Sequence, residues 1–201
     1  MVKAIVMHAP GGPEVLQWED VEVGDPGPGE ARVRNTAVGL NLLETLFRSG
    51  AIPVALPAIL GWEAAGVVEA VGAGVTDVTP GTRVAYFTAN GCYAEERLIN
   101  ADELVPLPDG ISEDQGAAAI LKGMTAQYLL RLTTNIKAGD TVLGMSLDAG
   151  GHLTHGAPVS HMGKLFNFVR YVTDPTDGSI DYDQVRADAR KHKPKLLLCG
   201  Y

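Results

Sequence analysis

Glycine and proline interrupt the first half of the chain at close intervals, and this punctuation limits what the chain can fold into. Runs that are β-branched or that alternate apolar and polar residues lie between the interruptions: Val2–Ala9, the segment around Val33, and Ala64–Val75. A further apolar run follows the Pro80-Gly81 turn. Short strands closed by turn residues about every ten positions predict an all-β barrel or sandwich for this part.

Composition and charge limit the classes of function. The chain has 201 residues, enough for one sizeable domain or two small ones, and 46% of them are hydrophobic, enough for a core. The net charge of −8 argues against non-specific nucleic-acid binding, and no apolar run approaches the roughly 18 residues of a transmembrane helix. Cys92 and Cys199 are far apart and form no CxxC motif. We therefore expect a cytoplasmic protein without disulfides, membrane segment or nucleic-acid partner.

Helix signals follow the β-rich part. Ser112 and Gln115 form an S-x-x-Q capping box, which predicts a helix N-terminus there. Apolar runs lie on both sides of Gly123, so we expect two helices with a break at that glycine. The run Thr141–Met145 indicates a buried strand, and Asp181 is predicted to cap a later short helix. A β region followed by helices and a buried strand predicts a mixed β and α/β fold.

Several motifs in the first part carry a specific resemblance. They are GGPEVLQWEDV, AVGLNLLETLFRSG, LPAILGWEAAGVVEAVGAGV, GTRVAY and AAAILKGMTAQYLL. In sequence and spacing they are similar to the quinone oxidoreductase branch of the medium-chain dehydrogenase/reductases, over residues 1–143. The resemblance implies a GroES-like β-barrel domain at 1–125 and the start of a truncated Rossmann-type α/β segment at 126–143. It also implies reduction of small quinones or enones by NADPH.

The same resemblance implies where the cofactor lies. Asn41 and Glu44 would stand beside the nicotinamide, and Lys122, Gly123 and Thr125 would approach the cofactor from a helix. The residues alone also allow Asn41 to be a turn residue at a strand end, but we favour the site because the motif around it is intact. For Glu44 the alternative of a solvated helix carboxylate stays open at this point.

A catalytic zinc is not expected. Zinc-dependent members of this superfamily carry a cysteine and a Gly-His-Glu sequence at two of these motifs. Asn41 and Trp62 stand at those places here, and neither supplies a side chain that Zn²⁺ prefers. Glu63 alone does not hold the ion. We therefore expect no metal, with catalysis resting on the positioning of the hydride donor and acceptor.

The segment after Thr141–Met145 departs from a dinucleotide-binding fingerprint. Gly150-Gly151 lacks a third glycine at the required spacing, and Pro158 comes where the next helix has to continue. No acidic residue ends a second strand about 20 residues on. We therefore expect an incomplete seat for the diphosphate of a dinucleotide.

The last part of the chain carries a different resemblance. GGHLTHG and IDYDQV are similar to an internal piece of serine hydroxymethyltransferase, a pyridoxal phosphate (PLP) enzyme, over residues 144–201. The resemblance implies a fragment of the PLP enzyme's large domain, with His152 stacked on the cofactor ring. It also implies a folate site lined by Leu147, Gly151, His152 and Leu153.

Other observations limit this second resemblance. Lys164 and Lys195 do not lie in the threonine-rich stretch that carries the family's Schiff-base lysine, so PLP chemistry lacks its lysine. His152, His155 and His161 follow an H-x2-H-x5-H spacing, which is a weak metal signal. As structural residues in a turn these histidines need no metal.

Three functional hypotheses follow, because the two resemblances meet near Gly139–Leu143. The first is a truncated, zinc-independent NADPH:quinone oxidoreductase-like protein that is weakly active or inactive. The second is a hydroxymethyltransferase-like fragment with PLP or folate contacts, and the third is a non-catalytic binding domain. Whether the chain is an active enzyme, its substrate and its oligomeric state stay open.

Overall fold

The computed structural model describes residues 1–199 and divides the chain into two compact units. The first unit is Met1–Thr125, and the second begins at Ala126. Antiparallel ladders build the first unit, whereas parallel ladders with short helices build the second. The predicted mixed β and α/β fold class is confirmed.

Eight strands form two linked sheets in the first unit. In chain order they are β1 (Val2–Met7), β2 (Leu16–Val21), β3 (Glu30–Val38), β4 (Ala58–Ile59), β5 (Glu63–Val71), β6 (Arg83–Phe87), β7 (Glu96–Asn100) and β8 (Val105–Pro106). The sheet orders are β2-β1-β4 and β7-β3-β5-β6-β8. Glu95 links them, because its N–H donates to Lys3 O at 2.8 Å and its carbonyl accepts from Asn35 N at 2.8 Å. The expected barrel therefore takes the form of two joined sheets, whose ladders within residues 1–125 do not close into one ring.

The core of this unit follows the strand patterns. On β3, Ala31 and Val33 are fully buried and alternate with more exposed residues, as a half-buried strand requires. Strand β5 is paired on both sides, by β3 and β6, and its first four residues are all buried. Gly66 is needed there because a Cβ would lie 2.1 Å from Arg34 O. The burial of β5 places the carboxylate of Glu63 in the interior.

Two α-helices are described before residue 130, and only the second lies in the region that the sequence signals predict as helical. Helix α1 spans Leu42–Ser49 and α2 spans Glu113–Gln127. The capping box is confirmed: Ser112 N donates to Gln115 Oε1 at 2.9 Å, and Gln115 N donates to Ser112 Oγ at 3.2 Å. The predicted break at Gly123 is wrong, since α2 runs through it; one glycine costs a helix only about 1 kcal/mol. A π-helical turn, Tyr128–Thr133, follows instead.

The second unit is a small parallel sheet with helices. Its strands are β9 (Thr141–Met145), β10 (Asn167–Tyr171) and β11 (Leu196–Leu198), in the order β10-β9-β11, and its helices are α3 (His161–Leu165) and α4 (Tyr182–His192). The cap at Asp181 is confirmed, because its Oδ1 accepts from Asp183 N and Gln184 N, each at 3.0 Å. No helix within residues 1–199 is both long enough and apolar enough to cross a membrane.

The place where the two sequence resemblances meet lies inside a strand. Leu143 and Gly144 are consecutive residues of β9, which pairs with β10 on one side and β11 on the other. Leu143 is fully buried and packs in a cluster with Met145 and Tyr171. Both sequence segments therefore contribute to one hydrogen-bonded strand at the centre of this sheet.

Candidate functional site

A buried carboxylate connects two of the predicted cofactor residues in the first unit. Glu63 Oε1 accepts hydrogen bonds from Asn41 Nδ2 at 3.1 Å and from Lys122 Nζ, and Glu63 Oε2 accepts one from Leu121 N at 3.3 Å. The Glu63 side chain has no exposed surface, whereas that of Lys122 is 54% exposed. One end of the ion pair is thus inside the protein and the other faces solvent.

Asn41 lies between β3 and α1, and its side chain bonds to other side chains instead of capping the helix backbone. It is the N-cap residue of α1, yet its side chain makes no capping hydrogen bond. Its Nδ2 donates to Glu63 and, at 3.3 Å, to Glu44 Oε1, while its Oδ1 accepts from Lys122 Nζ at 3.1 Å. Both the nitrogen and the oxygen of the amide are therefore hydrogen-bonded to other side chains, which a turn residue at a strand end does not require.

Glu44 is also inside the protein, not a solvated helix carboxylate. It is 4% exposed, and its Oε1 accepts from Trp62 N at 3.2 Å as well as from Asn41. Its Oε2 is buried without a hydrogen-bond partner among the residues the structure describes. Burial, and next the negative charge of Glu44, raise the pKa of Tyr93, so this phenol stays protonated.

Gly123 and Thr125 do not join this cluster. Thr125 Oγ1 donates to Leu121 O at 2.8 Å within α2, which uses the hydroxyl inside the helix. A Cβ on Gly123 would meet no atom within 4 Å, so the glycine lies beside open space. The structure thus brings together Asn41, Glu44 and Lys122, and leaves the other two predicted residues exposed on the helix.

Sequence reasoning considered Glu63 only as an insufficient zinc ligand and missed its role as the anchor of this cluster. The available signal was a single acidic residue in the apolar stretch LGWEAAGVV. Within residues 1–199, no three His, Cys, Asp or Glu side chains converge on one point. An ammonium, an amide and a backbone N–H all donate to the Glu63 carboxylate. These groups stabilise a negative charge and would not bind a cation.

The loop after β9 stands where a dinucleotide-binding domain holds the diphosphate. A 3₁₀ turn, Leu147–Ala149, follows β9, and Gly150 has φ of 91°. A Cβ on Gly151 would lie 2.3 Å from Met145 O, so the chain folds tightly back on the strand end. The next α-helix in this fully described stretch is α3, which has five residues and begins at His161. A strand followed directly by a long helix N-terminus is what diphosphate binding uses, and this loop does not provide it.

The residues assigned to PLP and folate lie on that loop. His152 is exposed, its Nδ1 lies 2.8 Å from Thr154 Oγ1, and its ring is edge-on to His155 with 6.1 Å between centroids. Leu147 and Leu153 are each 45% exposed, while Gly151 is buried.

Lys164 and Lys195 both lie outside this loop. Lys195 Nζ pairs with Asp140 Oδ2 at 3.0 Å, and Lys164 is exposed on α3. This arrangement does not fit PLP, because the polar partners of His152 among the described residues are Thr154 and His155, and neither is a lysine.

Comparisons with known families give one match in the earlier part of the chain and another in the later part. Residues 27–109 match the alcohol dehydrogenase GroES-like domain. Residues 120–201 match the serine hydroxymethyltransferase family, a range that begins before residue 144 and includes the end of α2.

The curated relatives belong to the same two groups, oxidoreductases and serine hydroxymethyltransferases. The chain is 51% identical to a quinone oxidoreductase of Pseudomonas aeruginosa over 145 residues, which is 71% of this chain and 45% of that protein. It is 48% identical to a 2-haloacrylate reductase of a Burkholderia species over 162 residues, 76% of this chain and 48% of that protein. It is 62% identical to a serine hydroxymethyltransferase of Alcanivorax borkumensis over 66 residues, 33% of this chain and 16% of that protein. The chain therefore spans about half the length of the curated oxidoreductases it matches.

A solved structure extends the likeness of fold to nearly the whole chain. The Escherichia coli quinone oxidoreductase complexed with NADPH matches with a TM-score of 0.70 and 36% identity, covering 98% of this chain and 58% of that one. The match in fold to the oxidoreductase therefore includes the segment whose sequence resembles serine hydroxymethyltransferase. Residues 1–143 resemble the quinone oxidoreductase branch of the medium-chain dehydrogenase/reductases, and residues 144–201 resemble an internal part of serine hydroxymethyltransferase.

Proposed function

We propose that the first unit is the catalytic-domain part of a zinc-independent, NADPH-dependent reductase of quinones or enones. The observation that carries the proposal is the buried Glu63 carboxylate, on which the Asn41 amide and the Lys122 ammonium meet. Asn41 and Lys122 are two of the residues that the family resemblance assigns to the cofactor. The relatives named quinone oxidoreductase and 2-haloacrylate reductase support a conjugated, electron-poor acceptor as substrate.

The nicotinamide end of NADPH fits this cluster chemically. When bound, NADPH supplies a hydride. The chain's own part is to bind and orient: the Asn41 amide has a fixed orientation, and the half-exposed Lys122 ammonium presents the remaining donor capacity of the cluster. Glu44 Oε2, buried without a partner among the described residues, is a further acceptor at the site.

The diphosphate end does not fit, and we propose weak or absent activity on this ground. The loop after β9 leads into a 3₁₀ turn and two glycines, and the five-residue α3 begins only at His161. A long helix N-terminus with free N–H groups is the usual partner of this anionic group. We assign residues 1–125 to the barrel domain, 126–143 to the start of the Rossmann-type domain and 144–201 to the PLP-enzyme-like fragment, with the join at Gly139–Leu143.

NADPH titration and turnover test this function. We expect NADPH binding by calorimetry with a Kd of about 1 mM or weaker, and slow NADPH oxidation with 1,4-naphthoquinone. Lys122→Gln should abolish this residual binding, whereas the matched variant Lys195→Gln, in the second unit, should leave it unchanged. Micromolar binding of NADPH would refute the proposal that the diphosphate-binding loop is impaired. No binding even at 10-fold higher NADPH (about 10 mM) would refute the cofactor role.

The serine hydroxymethyltransferase match favours one second candidate, a fragment with PLP or folate contacts. PLP added to the protein should then give an absorbance band that survives dialysis and is lost in His152→Ala. Because no lysine is among the polar partners of His152 in the described residues, we expect no such band. Absence of binding by NADPH, PLP and folate would leave a non-catalytic binding domain as the function.

We also propose a cytoplasmic location. Both cysteines are free thiols, with Cys92 buried and Cys199 exposed. An exposed free thiol suits a reducing compartment. Fractionation of cells that produce the chain, with a periplasmic marker as control, tests this proposal.

A further inference from the structure

Among the described residues, Glu63 is the buried group that contacts the side chains of both Asn41 and Lys122. Its carboxylate is fully buried, and an ionised carboxylate in the interior is strongly unfavourable unless it is paired and hydrogen-bonded. Three donors meet this requirement: Asn41 Nδ2, Lys122 Nζ and Leu121 N. They come from the α1 N-terminus and from α2, which are far apart in sequence.

The position of Glu63 is fixed from its other side as well. Gly39 N donates to Glu63 O at 3.0 Å, and a Cβ on Gly39 would lie 2.3 Å from Glu63 Cγ and Oε1. The glycine therefore lets the backbone before α1 close directly over the carboxylate. The side chain has little freedom to move away from its three donors.

This arrangement determines the orientation of the Asn41 amide. Its NH₂ faces the two carboxylates of Glu63 and Glu44, and its oxygen faces the Lys122 ammonium. A flipped amide would place its oxygen against two carboxylates and its NH₂ against an ammonium, which is unfavourable at every contact. The charge of Glu63 thus determines which polar atoms of Asn41 and Lys122 remain available for hydrogen bonds to a ligand.

We infer that Glu63 is a positioning residue for the cofactor site, holding the Asn41 amide in one orientation and tethering the Lys122 ammonium. It acts through these two side chains and does not itself face solvent. This inference rests on the proposed function for its purpose, but the tether can be measured with no cofactor present.

The test compares Glu63→Gln with Glu69→Gln. Glu69 lies on the same strand β5, and its exposed carboxylate pairs with Arg34 Nε at 2.6 Å, so its variant controls for loss of a β5 charge. Lysine acetylation by a small amine reagent is followed site by site with peptide mass spectrometry. Lys122 should react about five- to tenfold faster in Glu63→Gln, because the ion pair that competes with the reagent is lost.

Internal controls fix the interpretation. Lys3, paired with Asp20 at 2.8 Å, should keep its acetylation rate in both variants, and Lys122 should keep its rate in Glu69→Gln. Glu63→Asp retains the charge and should restore at least half of the protection of Lys122. Equal Lys122 rates in wild type and Glu63→Gln would overturn the inference, whatever the cofactor does.

NADPH affinity separates the tether from its purpose. If the wild type binds NADPH, Glu63→Gln should weaken binding about tenfold and Glu69→Gln not at all; faster acetylation with unchanged affinity would overturn the positioning role. If the wild type does not bind NADPH, the proposed function fails while the acetylation result still decides the tether.

A second measurement covers a Glu63→Gln chain that does not fold. Lys122→Met changes the exposed partner instead, and the Asn41 side-chain amide is observed by NMR. Its two proton signals should shift in Lys122→Met and stay unchanged in Glu69→Gln. Unshifted signals in Lys122→Met would overturn the coupling of the three groups.

Discussion

The interior of the first unit contains two carboxylates, Glu44 and Glu63, whereas the buried side chains described in the second unit are apolar or aromatic. The most conspicuous motif of the chain, GGHLTHG, belongs to the second unit, and its His152 is exposed. Burying a carboxylate costs several kcal/mol unless hydrogen-bond and ionic partners compensate. Glu63 has such partners in Asn41, Lys122 and Leu121 N. The comparison teaches that converging, buried polar groups identify a built site better than a motif does.

The largest effect is expected for Gly156→Ala in the second unit. Gly156 has φ of 85°, and a Cβ there would lie 2.0 Å from Phe168 Cγ, so we expect a loss of about 3 kcal/mol or more in unfolding free energy. Gly178→Ala is the control: its φ is 75° and no atom lies within 4 Å, so only the backbone cost of about 1 kcal/mol applies.

The two probes for this experiment separate the units. Both tryptophans, Trp18 and Trp62, lie in the first unit, so their fluorescence reports on it, while far-UV circular dichroism reports on the whole chain. Gly156→Ala should shift part of the dichroism transition in urea and leave the tryptophan transition unchanged. Equal shifts of both signals would break the comparison, because they would show a single cooperative unit.

Thiol reactivity should differ strongly between the units. Burial raises the pKa of Cys92 to about 11, outweighing the opposing effect of the Arg97 guanidinium, which lies 3.5 Å from Sγ, whereas Cys199 is exposed. At pH 8 we expect a disulfide reagent to label Cys199 at least about 100-fold faster than Cys92. Cys199→Ser should leave one slow thiol. Two fast thiols would contradict the burial of Cys92.

Matched helix caps should give smaller, equal effects. Ser112→Ala removes the cap of α2 and Asp181→Ala that of α4, each costing about 1 kcal/mol. Ser112→Ala should shift the tryptophan transition, and Asp181→Ala only the dichroism. Asp181→Asn keeps an acceptor and serves as the control; if it destabilises as much as Asp181→Ala, the cap is not the cause.

The smallest effect concerns pH. The Arg83 guanidinium, bonded to both oxygens of Glu113 at 2.8 and 3.1 Å, lowers the pKa of this carboxyl from 4.5 to about 2. Because the folded pKa lies below the unfolded one, this stabilisation is complete above about pH 4.5 and is lost as the pH falls toward 2. Glu113→Gln should flatten the pH dependence of the tryptophan transition in that window. An unchanged slope would contradict the ion pair.

The same direction is expected in the second unit. Hydrogen bonds from Lys137 N and from the Lys195 ammonium lower the pKa of Asp140, so its contribution is also lost in acid. Asp140→Asn should flatten the pH dependence of the dichroism transition and leave that of the tryptophan transition unchanged. An Asp140→Asn variant that keeps the pH dependence of the wild-type dichroism transition would contradict this contribution.

Features built from neighbouring residues could be predicted from the sequence. Ser112 and Gln115 bond three positions apart, and Asp181 bonds residues two and three positions on, so the capping signals lie within a few letters. Gly123 shows the limit of this local reasoning. A glycine lowers helix propensity, but the stretch from Glu113 to Gln127 remains one helix.

Features built across the fold could not be predicted in this way. Asn41 and Glu63 are 22 positions apart, and Glu63 and Lys122 are 59 apart. The resemblance to oxidoreductases indicated Asn41 and Lys122, but not the carboxylate that joins them. Their meeting depends on how β5 is buried between β3 and β6.

By itself the sequence determined the succession of strands and helices, the helix caps and the two resemblances that meet near Leu143, because these depend on residue types and short-range spacing. Tertiary structure alone decided that Glu63 is buried under Gly39, that it holds Asn41 and Lys122 together, and that Leu143 and Gly144 share one central strand. The physical reason is that desolvation and long-range hydrogen bonding depend on which distant segments pack together.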